Sequence, residues 1–334
     1  MVIDIHTHIM PRKFLDAVSK YLPQYEIHRY NSVRTLWNIE ERLQQLDLYP
    51  GMGQVLTPTI PLELLTSPKK AADLSRIYND EMAALVAKYP RQFVAAVACL
   101  PLNNIDSSLK ELDRAINKLG FKGIYMHTPV FNGPKRGKPM DSPEFLPLYE
   151  IMSKLALPIW IHPYRTSDVP DYNTEKESKY AISHIFGWPY ETTAAMTRLV
   201  MAGVLELYPE LKVITHHCGA MVPFFADRIS GIYEFYEVTL KTRMSGLTKN
   251  PIEYFHLFYN DTALYGNTPA LMCALAFFGV ENILFGSDLP YGVEGGSKYL
   301  RNTVSAVENM PIPQPDKIKI FQANAKRLLR LNNG

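Results

Sequence analysis

The chain has 334 residues, 47% of them hydrophobic and 20% charged, which is ample for a large core and too apolar for a disordered chain. Its 35 basic and 33 acidic residues leave a net charge of +2, so no overall electrostatic case exists for binding nucleic acid or a membrane surface. No run approaches the roughly 20 apolar residues that cross a bilayer. Met1-Val2-Ile3-Asp4 has no secretory signature, and the widely spaced Cys99, Cys218 and Cys273 predict free thiols in a reducing cytoplasm.

In chain order, the first short apolar run, residues 2–6, reads as a strand ending in Asp4-Ile5-His6-Thr7-His8. A long connection, 9–38, follows and is dense in Tyr, Pro and Arg. Helix-period segments at 39–48, 71–88 and 105–118 then alternate with strand-like runs at 54–57, 93–100 and 122–127. A loop at 131–141 contains Gly133, Pro134, Gly137 and Pro139 and leads into a helix at 143–154. The fifth strand, 158–162, is followed by a second long connection, 163–191, carrying Asp168, Tyr172, His184, Phe186 and Trp188. A helix at 192–207, strands at 212–217 and 256–261, a helix at 269–278 and a strand at 282–288 complete the order. Eight largely continuous apolar strands alternating with helices predict an α/β fold. The architecture is one (β/α)8 barrel spanning residues 1–334, with long loops after strands 1 and 5.

Histidines and one aspartate fall where such barrels build active sites, at the C-terminal ends of strands. Residues i and i+2 of a strand share a face, so His6 and His8 project together. Strand 5 ends in Ile161-His162-Pro163, strand 6 in Thr215-His216-His217-Cys218-Gly219, and strand 8 in Gly286-Ser287-Asp288. His6, His8, His162 and Asp288 are therefore the expected ligands of one divalent metal. Imidazole nitrogens with one carboxylate suit zinc first, with manganese or iron as alternatives. A single histidine is more often structural than a ligand, and the weight rests on the convergence of strand ends.

The set His-x-His, Ile-His-Pro, Thr-His-His-x-Gly and Phe-Gly-Ser-Asp resembles the amidohydrolase superfamily. Within it, the chain is similar to the branch containing aminocarboxymuconate-semialdehyde decarboxylase and the γ-resorcylate and 5-carboxyvanillate decarboxylases. The likeness runs from Met1 to about Leu331 and is most specific over residues 187–229. It implies that His217, the histidine followed by x-Gly, is catalytic together with Asp288, and that His216 is a supporting or core residue. It also implies that Arg228, eleven residues after His217, grips a substrate carboxylate. Strand 4 ends Tyr125-Met126-His127-Thr128, without the bridging Lys or Glu of binuclear members, so the resemblance implies a mononuclear centre.

The expected function is metal-dependent nonoxidative decarboxylation of an aromatic or unsaturated carboxylic acid. The alternative is hydrolysis or hydration of a lactone, amide or unsaturated dicarboxylate by the same ligands, and a binding-only barrel is the third reading. Arg34 is a second candidate carboxylate contact, Phe186, Trp188 and Tyr291 are candidate walls for a flat substrate, and Glu191 is a candidate orienting group. The resemblance further implies a homodimer or homotetramer, with contacts from 183–190 and 224–236.

Overall fold

The computed structural model describes residues 1–133 and 137–331. Pro134, placed above in the loop after strand 4, lies outside the described residues. Parallel pairing runs through β1 (Val2–His8), β2 (Met52–Thr57) and β3 (Phe93–Ala96). It continues through β4 (Ala98–Cys99), β5 (Ile124–Thr128), β6 (Pro158–Pro163), β7 (Lys212–Thr215) and β8 (Tyr259–Asn260). The run expected at 93–100 is divided at Val97, whose amide still donates to Leu56 while Ala98 turns to Gly123, so β3 and β4 form one stave.

The eighth expected strand is corrected in detail. Residues 283–289 make only isolated parallel bridges, Asn260 with Ile283 and Thr7 with Leu289. The regular ladder fails because its amides are diverted: Phe285 N donates to Ile320 O, Gly286 N to Thr262 Oγ1 and Ser287 N to Asp4 Oδ1. The segment still lies between β8 and β1 and closes the ring of eight staves. The connection 9–38 is likewise not a bare loop but carries helices Arg12–Val18 and Gln24–Ser32.

Two cores result. Most apolar side chains pack between the strands and the surrounding helices, as at Leu56, Met82, Leu112, Leu148 and Leu199. A smaller cluster fills the barrel interior, with Ile3, Ile5, Val55, Val97, Trp160, Ile214 and Leu284, and Leu328 and Leu329 of helix Asn324–Leu329 join it. That plug leaves the C-terminal ends of the staves as the open mouth. Register between β1 and β2 shifts between Asp4 and Thr7, and this irregularity brings His6 and His8 onto the axis above Ile3 and Ile5.

Candidate metal centre

His6 and His8 from β1, His162 from β6, and His216 just beyond β7 present ligand nitrogens that all lie within 4.8 Å of one another. His216, His217 and Asp288 form a second, overlapping group on the same criterion. Asp288 reaches the centre from the closing segment in a left-handed conformation, φ 66°, with its Oδ1 3.1 Å from His8 Nε2 and 3.3 Å from His216 Nε2. Gly286 permits this convergence, because a Cβ there would sit 2.8 Å from the Cβ of Asp261 and 3.3 Å from that of His6.

Neighbouring groups set the imidazole tautomers. His8 Nδ1 donates to Pro58 O at 2.7 Å, which leaves the Nε2 lone pair directed at the centre. His216 Nδ1 donates to the buried carboxylate of Asp261, and His216 Nε2 is thereby turned toward Asp288. Asp261 also accepts the backbone amides of Cys218 and Ala263 and lies 3.2 Å from His6 Nδ1. The Tyr125 hydroxyl is 2.9 Å from His6 Nε2, and the wholly buried Arg42 donates to Gln54 and to the carbonyl of His8, fixing the end of β1.

Burial dominates the electrostatics. It pushes His6 and His217 down to about 3, helped in each case by the neighbouring His216, so both rings are neutral. His162 is lowered for the same reasons. For His216 burial also works downward, but Asp261 and Asp288 outweigh it and hold the ring up at about 9. Asp288 is held well below the usual carboxylate range: burial would raise it, and the charge on His216 overrides that. His162 Nδ1, His216 Nε2 and His217 Nδ1 are buried without a hydrogen-bond partner among the described residues, a costly state unless something else engages them. The neutral imidazoles of His6 and His162 beside the ionised carboxylate of Asp288, with His8 Nε2 turned the same way, are a donor set that a divalent transition metal fits.

Above the centre lies a cavity of about 230 Å³, lined by His8, His162 and Asp288 and walled by Tyr164, Trp188, Tyr265, Tyr291 and Tyr299. Of the expected walls, Trp188 and Tyr291 are here, 5.4 Å between ring centres from His162 and His8 respectively. Phe186 is exposed and does not line the cavity. Arg34 is exposed and paired with Glu41; the guanidinium lining the cavity is that of Arg29, five residues earlier in the insertion. Glu191 pairs with Arg165 at 3.0 Å and makes no contact with the His217 ring. Arg228 sits exposed on helix Ala226–Glu234, which has no buried residue, and does not line this cavity. His127 is buried against Tyr125, His162 and Tyr164.

His216 is not a bystander, since its ring centre is 3.6 Å from His6 and 3.9 Å from His217. Asp261 was legible by the rule already applied, because it closes the strand-like run 256–261. Arg29, Tyr125, Tyr265 and Tyr299 had no comparable signal.

Comparisons with known proteins show what the whole chain is similar to. The chain is 27% identical to 2-amino-3-carboxymuconate-6-semialdehyde decarboxylase of Dictyostelium discoideum over 310 residues, covering 86% of this chain and 81% of the relative. It is also 27% identical to γ-resorcylate decarboxylase of Rhizobium radiobacter, covering 88% and 87%. In three dimensions it matches the dihydroxybenzoic acid decarboxylase of Polaromonas sp. JS666, solved with manganese and 2-nitroresorcinol, with a TM-score of 0.82 at 24% identity over 100% of this chain and 98% of that one. At that identity the likeness speaks for the barrel fold. The model of the amidohydrolase family matches residues 3–331, and the chain belongs to that family.

Proposed function

We propose that the protein is a mononuclear metal-dependent carboxy-lyase that removes CO2 from a hydroxylated aromatic carboxylic acid. The observation that carries this reading is the buried group His6, His8, His162 and His216, which Asp288 joins 3.1 Å from His8 and 3.3 Å from His216, opening into a small, tyrosine-walled cavity with Arg29 at its rim. The cavity is below the roughly 300 Å³ at which drug-sized sites begin, and it suits one substituted ring. The decarboxylases to which the chain is similar supply the reaction class.

His6, His8, His162 and Asp288 would hold one divalent ion, with His216 Nε2 facing the same centre. Imidazole-rich ligation favours zinc, and the Polaromonas relative was solved with manganese. When bound, the ion supplies an electrophile that offsets the negative charge left on the substrate as CO2 departs. Arg29, whose Nε and Nη2 are engaged by Glu26 and Tyr30, keeps Nη1 for a carboxylate or phenolate at the rim, and Trp188 and Tyr291 flank the ring. His216 is fully buried under Asp261, whereas His217 is slightly exposed and lies 6.3 Å from Trp188 between ring centres. His217 is therefore the proton carrier on the substrate side. Neutral at rest, it first takes up a proton at Nδ1 from the substrate's own phenol or from water, then passes that proton to the ring carbon bearing the carboxylate, and the C–C bond breaks. The electrons of that bond restore the aromatic ring, and CO2 leaves.

A second copy covers the aromatic surface of Phe224, Phe225, Phe235 and Tyr236, which no other described part of the chain buries. Arg228 lies on that same face and meets substrate only across such an interface. The free thiols, two of them buried, suit a reducing compartment such as the cytoplasm. Among the described residues no helix is long and apolar enough to cross a membrane.

The test is elemental analysis of the purified protein and of Asp288→Asn, followed by CO2 release from a panel of hydroxybenzoates. One metal per chain, largely lost in the variant, and CO2 from at least one acid are expected. Two metals per chain, or water incorporation without CO2, would move the function to hydrolysis.

A further inference from the structure

A second cavity of about 640 Å³ adjoins the one above the metal centre, and Arg29, Tyr164, His184 and Trp188 line both. The two long insertions after strands 1 and 5 supply its opposite walls, and helix Leu62–Leu65 supplies the floor. Its apolar lining includes Leu22, Tyr25, Ile60, Leu64 and Leu65.

The cations along it are already engaged, Arg29 with Glu26 at 2.7 Å and Arg165 with Glu191 at 3.0 Å, while Asp168, which accepts from Thr166, keeps its negative charge. Such a groove repels a second anionic group beyond the one at the inner rim and offers a polar one few free partners. It gains from apolar surface laid on the leucines.

We propose that the natural substrate carries an apolar arm, an alkyl or prenyl-like chain on its aromatic acid, that lies in this outer groove while the carboxylate end occupies the inner cavity. This rests on the decarboxylase reading and narrows its substrate class. The two insertions thus act as a specificity device: the centre selects the reaction, and the groove selects the length of the arm.

The experiment uses the metal-loaded protein and dihydroxybenzoates that bear hydrogen, methyl, propyl or pentyl at each free ring position in turn. At one position, kcat/KM for CO2 release rises about twofold per added methylene, half the effect of full burial. The pentyl acid then exceeds the methyl acid more than about tenfold. Leu64→Asn, and separately the surface change Tyr25→Ser, each lower the pentyl-to-methyl ratio at least about threefold while the methyl acid is still turned over. A ratio at or below one at every position, with CO2 still released from the parent acid, overturns the proposal and leaves the groove as an approach route. A ratio unchanged in both variants overturns it as well. No CO2 from any acid, with metal bound, removes the decarboxylase reading and this inference with it.

Discussion

Asp261→Asn probes the centre most directly. The carboxylate is wholly buried and holds His216 Nδ1 through one oxygen, while the other accepts the amides of Cys218 and Ala263 at 3.0 and 3.1 Å. An asparagine can keep both amide contacts with its carbonyl, so the backbone is preserved. Its NH2 then faces His216 Nδ1, which must become an acceptor, and the ring proton moves to Nε2. In the parent a bound ion can displace the Nε2 proton because Asp261 keeps the other on Nδ1; in the variant the only ring proton stays on Nε2, 3.3 Å from Asp288, and no lone pair faces the centre. Losing a carboxylate behind a metal-site imidazole weakens metal binding about 10- to 100-fold, or about 1.4 to 2.7 kcal/mol. The upper end is expected, because Asp261 also lies 3.2 Å from His6 Nδ1. The assay is competition of the apoprotein with a chromophoric chelator for Zn2+ and Mn2+, with His217→Asn beside it. His217→Asn should bind metal within about threefold of the parent yet lose about 10²- to 10⁴-fold in turnover, as befits a proton carrier. The reverse pattern, normal metal affinity in Asp261→Asn and lost affinity in His217→Asn, would refute the division of roles between the two adjacent histidines.

Arg29→Ala should raise KM about tenfold or more, whereas Arg34→Ala should leave KM and kcat alone, because only Arg29 lines the cavity. Equal effects from the two would remove Arg29 from substrate binding. Burial lifts Glu63, which accepts the amide of Leu102 at 2.7 Å, from 4.5 to about 7. The folded value lies above the unfolded one, so this group's stability is fully present below about pH 4.5 and is lost as pH rises through 7. Glu63→Gln keeps the acceptor and should flatten that window, gaining up to about 3 kcal/mol over the parent at pH 8 in urea melts; an unchanged pH slope would count against a neutral buried acid. Gly286→Ala should cost about 1 to 3 kcal/mol by thermal melting and also weaken metal binding, since its Cβ pushes on both Asp261 and His6. A fully stable, metal-replete variant would show that the closing segment has slack there.

Much of this protein was legible in the chain itself. Runs of apolar, β-branched residues covered on both faces declare parallel staves, and polar residues that end such runs must lie at the rim of a barrel. His6, His8, His162 and Asp288 stood out as candidates because each ends a strand-like run, and strand geometry is local. The same rule extends to Asp261, which closes its own run.

What the linear pattern did not contain were choices made by packing between distant segments. Residues 283–289 close the ring without forming a regular ladder, because acceptors from Asp4, Thr262 and Ile320 capture their amides. Arg29 rather than Arg34 faces the cavity, because helix Gln24–Ser32 folds over the mouth while Arg34 is drawn off by Glu41. Phe186 and Trp188 are two residues apart, yet only Trp188 enters, with its indole nitrogen donating to Arg165 O at 3.0 Å. His216 and His217 are neighbours of identical type, and only the buried carboxylate of Asp261, 45 residues from His216, tells them apart. Local periodicity sets where a side chain leaves its own strand or helix; which partner it meets depends on contacts that only the closed barrel brings together.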